Sequence, residues 1–139
     1  MGLSDLRLRN VSSWTMFIFG LLAAMLGIFG LIQPETLLNM LSFEVTERAA
    51  RSAGDYTLTF VTASSMASLN MGVYYMLAAL TNWKPFFRWT VPFRIVTFTV
   101  FTLAVANGIA PTGFLGVGVW ELVGALATGA ALYYERGRS

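Results

Sequence analysis

The sequence predicts an all-α integral membrane protein: a four-helix bundle of up-down topology, with a short interfacial helix after the first span. The chain is 56% hydrophobic and 12% charged, and its mean hydropathy is +0.65. A soluble domain of 139 residues could not bury so much apolar surface. Four long stretches are almost free of charge. Aromatic and basic residues mark the turn between the second and third stretches and the end of the fourth, as they do at membrane interfaces. We expect one membrane domain, residues 1–139, with spans at about 14–33, 56–80, 89–107 and 114–134.

The first span contains no charged residue between positions 14 and 32, and about 20 apolar residues suffice to cross a hydrocarbon core of ~30 Å. Arg7 and Arg9 precede it as in a signal peptide, but the apolar run is longer than a typical signal core and no small-residue cleavage site follows. We therefore expect this segment to be retained.

The connection after the first span has an apolar start and a charged remainder. Pro34 stands where a helix can begin, and Glu35 falls in its first turn. Three leucines then form an apolar stripe: Leu37, Leu38 and Leu41. These residues predict a short helix, 34–41, along the membrane interface. The charges between positions 43 and 55 predict a solvated connection.

The last three spans differ in their polar content. The second, 56–80, has no charge and many hydroxyl groups. Trp, Lys, Pro and Arg crowd residues 81–89, which predicts an interfacial hairpin. The third span carries Pro92 in its first turn and a single charge, Arg94. A glycine- and proline-containing loop then leads to the fourth span, which carries Glu121.

The distribution of basic residues predicts the orientation. Six Lys and Arg residues fall on the side of both termini, against Arg48 and Arg51 on the other. By the positive-inside rule both termini face the cytosol, or the matrix of a mitochondrion. The six are Arg7, Arg9, Lys84, Arg88, Arg136 and Arg138. The sequence does not select the membrane.

Composition also limits the chemistry. The chain has no cysteine and no histidine, so we expect no metal site and no cofactor. The basic residues form no stripe or arm, which argues against a nucleic-acid partner. The lipid bilayer is the expected partner. Small residues that permit close helix contact recur on the first two spans: Gly20, Ala23, Ala24, Gly27, Ser64, Ser68 and Gly72.

Arg94 and Glu121 are the candidate catalytic residues. Each costs about 2.5–3.5 kcal/mol inside a span unless it has a partner or water. They lie ~9 and ~10 Å from opposite membrane faces, which leaves ~11 Å between their backbones along the membrane normal. We expect both to face the interior of the bundle, where Glu121 could act as acid or base and Arg94 could stabilise an oxyanion. The alternative is a structural pair that only neutralises its own charges.

A polar pocket beside this pair is the second expectation. Hydroxyl and amide groups recur at helical spacing on the second span, and an aromatic face could stabilise a cationic intermediate. The candidate ligand-binding residues are Ser68, Asn70, Tyr74, Tyr75, Thr97 and Trp120.

Three short stretches resemble the DoxX-like class of small four-helix membrane proteins: residues 70–75 (Asn-Met-Gly-Val-Tyr-Tyr), Arg94 within Phe-Arg-Ile, and residues 120–124 (Trp-Glu-Leu-Val-Gly). In that class a glycine-aromatic stretch, a third-helix arginine and a fourth-helix glutamate recur, so the resemblance implies a role for Arg94 and Glu121. It further implies quinone-associated or redox accessory roles, and the distantly similar emopamil-binding group includes sterol isomerases.

Three functions stay open. The first is binding of a lipophilic small molecule in an intramembrane polar pocket, extending to isomerisation or cyclisation by proton transfer at Glu121. The second is a non-catalytic accessory or assembly subunit of a membrane complex. The third is a small proton-coupled exporter, which would be a homo-oligomer. A binder should keep a cavity beside Arg94 and Glu121, whereas an assembly subunit should enclose them in tight contact.

Overall fold

The computed structural model describes residues 2–138 and is predominantly helical, with no strand in that part of the chain. Short 3₁₀ turns lie at Leu3–Asp5, Arg48–Ala50 and Thr112–Phe114. The α-helices are α1 (Val11–Ile32), α2 (Pro34–Met40), α3 (Thr57–Leu80), α4 (Lys84–Ala106) and α5 (Leu115–Arg136). The interfacial helix predicted after the first span is confirmed as a helix, α2, with Pro34 in its first turn.

Within residues 2–138, three stretches are long and apolar enough to cross a membrane: α1, α4 and the segment Thr112–Arg136 that contains α5. The sequence predicted four spans. The exception is α3, which has 24 residues and no charge, but whose hydroxyl groups and Asn70 lower its hydropathy. The chain thus has the helices of an integral membrane protein, and the role of α3 depends on its packing.

The long helices pack in the spatial order α3, α1, α5, α4. The backbones of α3 and α4 come close at only a few positions, although their side chains meet, for example where the ring of Tyr75 packs on that of Phe86. The start of α1 meets the end of α3, where the Arg7 N–H donates to the Leu80 carbonyl. It also meets the end of α5, where Glu135 bonds to Ser12. Neighbouring helices in this order therefore run antiparallel. We call the end where α1 begins and α5 ends the termini end.

Small residues hold α1 and α3 at close range. A Cβ built on Gly20 would lie 2.7 Å from the Gly72 carbonyl oxygen, and one built on Gly27 would lie 2.6 Å from the Ser65 carbonyl oxygen. The predicted small-residue contact is therefore confirmed at Gly20, Gly27 and Gly72. Ser64 does not belong to it, because Ser64 is exposed and its hydroxyl bonds to the Val61 carbonyl of its own helix.

The third span begins earlier than predicted. α4 starts at Lys84 rather than near Trp89, so Pro85 lies in its first turn and Pro92 lies inside the helix. The predicted hairpin of residues 81–89 shrinks to a tight turn in which Asn82 has φ 53°. Pro85 explains the difference, because a proline in the first turn sacrifices no helical hydrogen bond. Pro92 leaves the Arg88 carbonyl without its helical donor, which membrane helices tolerate.

Candidate functional site

Arg94 and Glu121 meet in the interior, as the sequence predicted. Nε of Arg94 donates to Oε2 of Glu121 at 3.0 Å. Arg94 is 4% exposed, whereas the Glu121 side chain is 25% exposed. The long side chain of Arg94 spans the distance between the backbones of α4 and α5. The ion pair offsets part of the free energy that it costs to place two charges inside an apolar structure.

The Arg94 guanidinium is enclosed by residues of the other three long helices. Gly124, on α5, faces it so closely that an added Cβ would overlap the guanidinium. The ring of Phe19 on α1 lies 4.8 Å from its Cζ, and the ring of Tyr75 on α3 lies 5.5 Å away. Aromatic faces at such distances stabilise a cation. Arg94 is thus the residue at which all four long helices meet.

One donor of the guanidinium has no acceptor. Nη1 of Arg94 is buried and makes no hydrogen bond within the described residues. A buried charged donor that lacks a partner is costly. The same donor marks the position at which an acceptor atom of a ligand would be stabilised most.

Two of the other predicted binding residues lie at this pair. Tyr75 is half-buried and places its ring against the guanidinium. Trp120 packs on Phe19, with 4.3 Å between the ring centroids. Phe19 therefore connects Trp120 to the aromatic surroundings of Arg94.

The remaining predicted residues are placed differently. The Ser68 hydroxyl donates to the Ala23 carbonyl of α1 at 2.7 Å, so it joins two helices. The Thr97 hydroxyl donates to the Phe93 carbonyl of its own helix. Asn70 and Tyr74 are exposed on α3, and no contact brings them to Arg94 or Glu121. The polar stripe of α3 therefore serves mainly to join α3 to α1.

A second polar cluster, at the termini end, was not predicted. Oε1 of Glu135 accepts from the Ser12 N–H at 2.7 Å, and Oε2 accepts from the Ser12 hydroxyl at 2.8 Å. Glu135 also forms an ion pair with Lys84, and Nζ of Lys84 donates to the Ser12 hydroxyl at 2.6 Å. This cluster fastens the end of α5 to the starts of α1 and α4.

The same cluster extends to the α3–α4 turn through Asn10. Oδ1 of Asn10 accepts from the Ser13 N–H at 3.0 Å and caps α1. Its amide nitrogen donates to Oδ1 of Asn82 at 2.9 Å. The Asn-Val-Ser-Ser sequence that opens α1 is a recognisable N-cap signal. Its long-range partners Asn82 and Glu135 carry no such local signal.

Two surface cavities lie near this end, and neither is lined by Arg94 or Glu121. One, of about 850 Å³, is lined by Asn10, Lys84, Arg88, Leu132, Tyr133, Glu135, Arg136 and Arg138. The other, a shallow groove of about 360 Å³, is lined by Pro85, Arg88, Trp89 and Pro92. Arg88 lines both, so the cavity and the groove adjoin.

Among residues 2–138, no three Asp, Glu, His or Cys side chains come together as metal ligands. Comparisons of the chain with protein-family models, with curated proteins and with solved structures find no match.

Proposed function

We propose that the chain is a polytopic membrane protein whose four long helices form a membrane-spanning bundle, and that it binds a lipophilic small molecule at Arg94 and Glu121. The observation that carries the proposal is the buried Nη1 of Arg94, a charged donor without an acceptor, next to a carboxylate that is still partly exposed. Intramembrane charges of this kind commonly mark ligand or ion sites.

The packing of α3 supports its role as a fourth span. Its 24 residues would extend about 36 Å, enough to cross a membrane. Several of its hydroxyl groups are satisfied by carbonyl oxygens: Thr62 by Leu58, Ser64 by Val61 and Ser68 by Ala23. Hydroxyl groups bonded in this way cost little in a membrane.

The distribution of basic residues supports an orientation with the termini end in the cytosol or the matrix. The resemblance to the DoxX-like class supports the choice of Arg94 and Glu121 as the site. The surroundings of Arg94 favour a ligand that combines an acceptor oxygen for Nη1 with a flat apolar body. The rings of Phe19 and Tyr75 would lie against that body.

Binding is the activity that this geometry favours over proton transfer. Glu121 accepts a hydrogen bond from Nε of Arg94, and isomerisation or cyclisation would first require the carboxylate to leave that partner. A proton-coupled exporter would need Glu121 to become accessible from both sides of the membrane in turn. The hydrogen bond from Arg94 instead holds the carboxylate in one place.

The test is mass spectrometry of small molecules extracted from purified wild type, Glu121→Gln and Arg94→Lys. Lysine keeps the positive charge of Arg94 but loses the planar set of donors. The matched control is Arg48→Gln, which breaks an exposed ion pair between α2 and the connection that follows it. We expect a lipophilic compound other than phospholipid in wild type and control, reduced at least about tenfold in both site variants, the equivalent of ~1.4 kcal/mol of binding.

A non-catalytic accessory subunit is the second candidate. Arg94 is enclosed, and neither of the two surface cavities is lined by Arg94 or Glu121, which is the arrangement expected of an assembly subunit. The faces that α3 and α4 leave uncovered also favour this role. Phe60 is 72% exposed and Phe93 is 65% exposed, and the backbones of these two helices come close at only a few positions. If no specific compound accompanies the wild type, and the site variants differ from it only in stability, the binding proposal is wrong and the accessory role is favoured.

A further inference from the structure

The cavity at the termini end lies where the helices would leave the membrane. Tyr133 lines it and Trp89 lines the adjoining groove. Trp83 and Tyr134, neighbours of these elements in the sequence, are exposed as well. Trp and Tyr concentrate at the level of lipid headgroups, where their rings contact acyl chains and their polar atoms contact water. A pocket at this depth is open to the headgroups of neighbouring lipids.

The charge of the lining is strongly positive. Four of its residues are cations, Lys84, Arg88, Arg136 and Arg138, and a single carboxylate, Glu135, accompanies them. Glu135 is already bound to Ser12 and Lys84. Arg88 makes no hydrogen bond or ion pair to any described residue, and Arg138 lies over the ring of Tyr134 at 4.5 Å. Among residues 2–138, the donors of these two arginines therefore have no carboxylate partner.

The groove beside the cavity is apolar and runs along α4. It passes from Arg88 to Pro92, a rise of about 6 Å toward the middle of the helix, and Pro85 and Trp89 form its walls. The two prolines lack an N–H, and their rings present carbon to this surface. A positively charged pocket that continues into an apolar groove matches the two parts of a phospholipid, an anionic head and an acyl chain.

We propose that the cavity binds the headgroup of an anionic phospholipid, with the phosphate held by Arg88 and Arg138 and one acyl chain lying in the groove of Pro85, Trp89 and Pro92. Basic pockets on the cytosolic or matrix side of membrane proteins hold anionic headgroups in this way. The site is separate from the proposed ligand site, because neither Arg94 nor Glu121 lines it. The two proposals can therefore fail independently.

The test uses the whole protein in nanodiscs of phosphatidylcholine with one fifth phosphatidylglycerol, released into mild detergent and examined by native mass spectrometry. The test variant is Arg88→Gln with Arg138→Gln. The control is Arg7→Gln with Arg9→Gln, which removes two positive charges from the same end without touching the lining of the cavity. We expect wild type and control to retain phosphatidylglycerol, and the test variant to retain about tenfold less at an unchanged unfolding temperature.

A second variant examines the groove. Trp89→Ser removes its largest apolar wall and leaves every cation in place, so it should also reduce retention of phosphatidylglycerol. Equal losses in the test and control variants would indicate only a diffuse attraction and would overturn the proposal. Retention of phosphatidylcholine equal to that of phosphatidylglycerol would also overturn the proposal. Full displacement of the lipid by inorganic phosphate would overturn it too, because it would identify a site for the free anion.

Discussion

Gly124 faces the guanidinium of Arg94 so closely that no larger residue fits between them. A Cβ at position 124 would overlap Cζ and both terminal nitrogens of Arg94. Glu121 lies three residues earlier on the same face of α5 and accepts from Nε. One turn of α5 thus supplies both the charge that pairs with Arg94, from Glu121, and the space that the guanidinium occupies, at Gly124.

Replacement of Gly124 by alanine should therefore displace Arg94 from its partner. We expect Gly124→Ala to lower the free energy of unfolding by about 1–3 kcal/mol, the usual cost of overpacking. The measurement is reversible unfolding in detergent. Gly116→Ala is the control, because a Cβ there meets nothing within 4 Å and alanine favours a helix. Equal effects of the two substitutions would contradict the close fit of Gly124 to Arg94.

The Arg94–Glu121 pair should show strong energetic coupling. Glu121→Leu leaves a buried arginine without its counter-charge, which costs about 3–5 kcal/mol in comparable buried pairs. Adding Arg94→Met removes the stranded charge, so the double variant should be more stable than Glu121→Leu alone. Unfolding of the wild type, both single variants and the double variant measures this coupling. If the losses of unfolding free energy in the single variants add up to that of the double variant, the two side chains act independently. The exposed pair of Arg48 and Glu35 is the control, and its two substitutions should be nearly additive.

The main helices and the central pair were predictable because both follow from local properties of the sequence. Long apolar stretches with at most one charge predict α1, α3 and α5 to within a few residues, and the energetic cost of intramembrane charge identifies Arg94 and Glu121. The start of α4 was placed too late because Trp, Lys, Pro and Arg also fit an interfacial turn. Pro85, as a first-turn residue, was the available signal.

The polar partners of α3 were harder to predict, because helical spacing does not reveal which neighbour a face meets. The face that carries Ser68 and Gly72 contacts α1, so it joins two helices rather than lining a pocket around Arg94. Glu135 carries no local signal beyond its position at the end of a span. Its bonds to Ser12 and Lys84 depend on how three helix ends come together, which the sequence pattern does not contain.

Glu135 should contribute to stability through these bonds. Glu135→Leu removes the acceptor of the Ser12 N–H and the partner of Lys84, so we expect a loss of about 1–3 kcal/mol, the cost of leaving partly buried donors unsatisfied. Glu135→Gln keeps an acceptor oxygen and should lose less. Thermal unfolding of the two variants beside Tyr134→Phe, a neighbouring exposed position, tests this. If leucine and glutamine give equal stability, the carboxylate bonds at this end contribute nothing.

The charged connection between α2 and α3 should loosen in acid. Hydrogen bonds from the hydroxyl and N–H of Thr57, at 2.5 and 2.9 Å, hold the pKa of Asp55 below its ordinary 3.8, and Arg51 lowers it further. The pKa of Glu35 lies below its ordinary 4.5 because of its own backbone N–H and the Arg48 guanidinium. A carboxyl group whose pKa is lowered by folding stabilises the folded form above its ordinary pKa. That contribution disappears as the pH falls through the lowered pKa.

A spin label can follow this change, because the chain contains no cysteine. Gly54→Cys introduces a unique attachment point where an added side chain meets nothing within 4 Å. Its electron paramagnetic resonance spectrum should be constant near neutral pH and should show faster motion below the ordinary pKa values of the two carboxyl groups. Adding Asp55→Asn should raise the mobility of the label at neutral pH and flatten the acid response, since the amide no longer titrates and its pairing with Arg51 is lost. A label whose motion is the same at pH 7 and pH 3 would show that these carboxylates do not hold the connection in place.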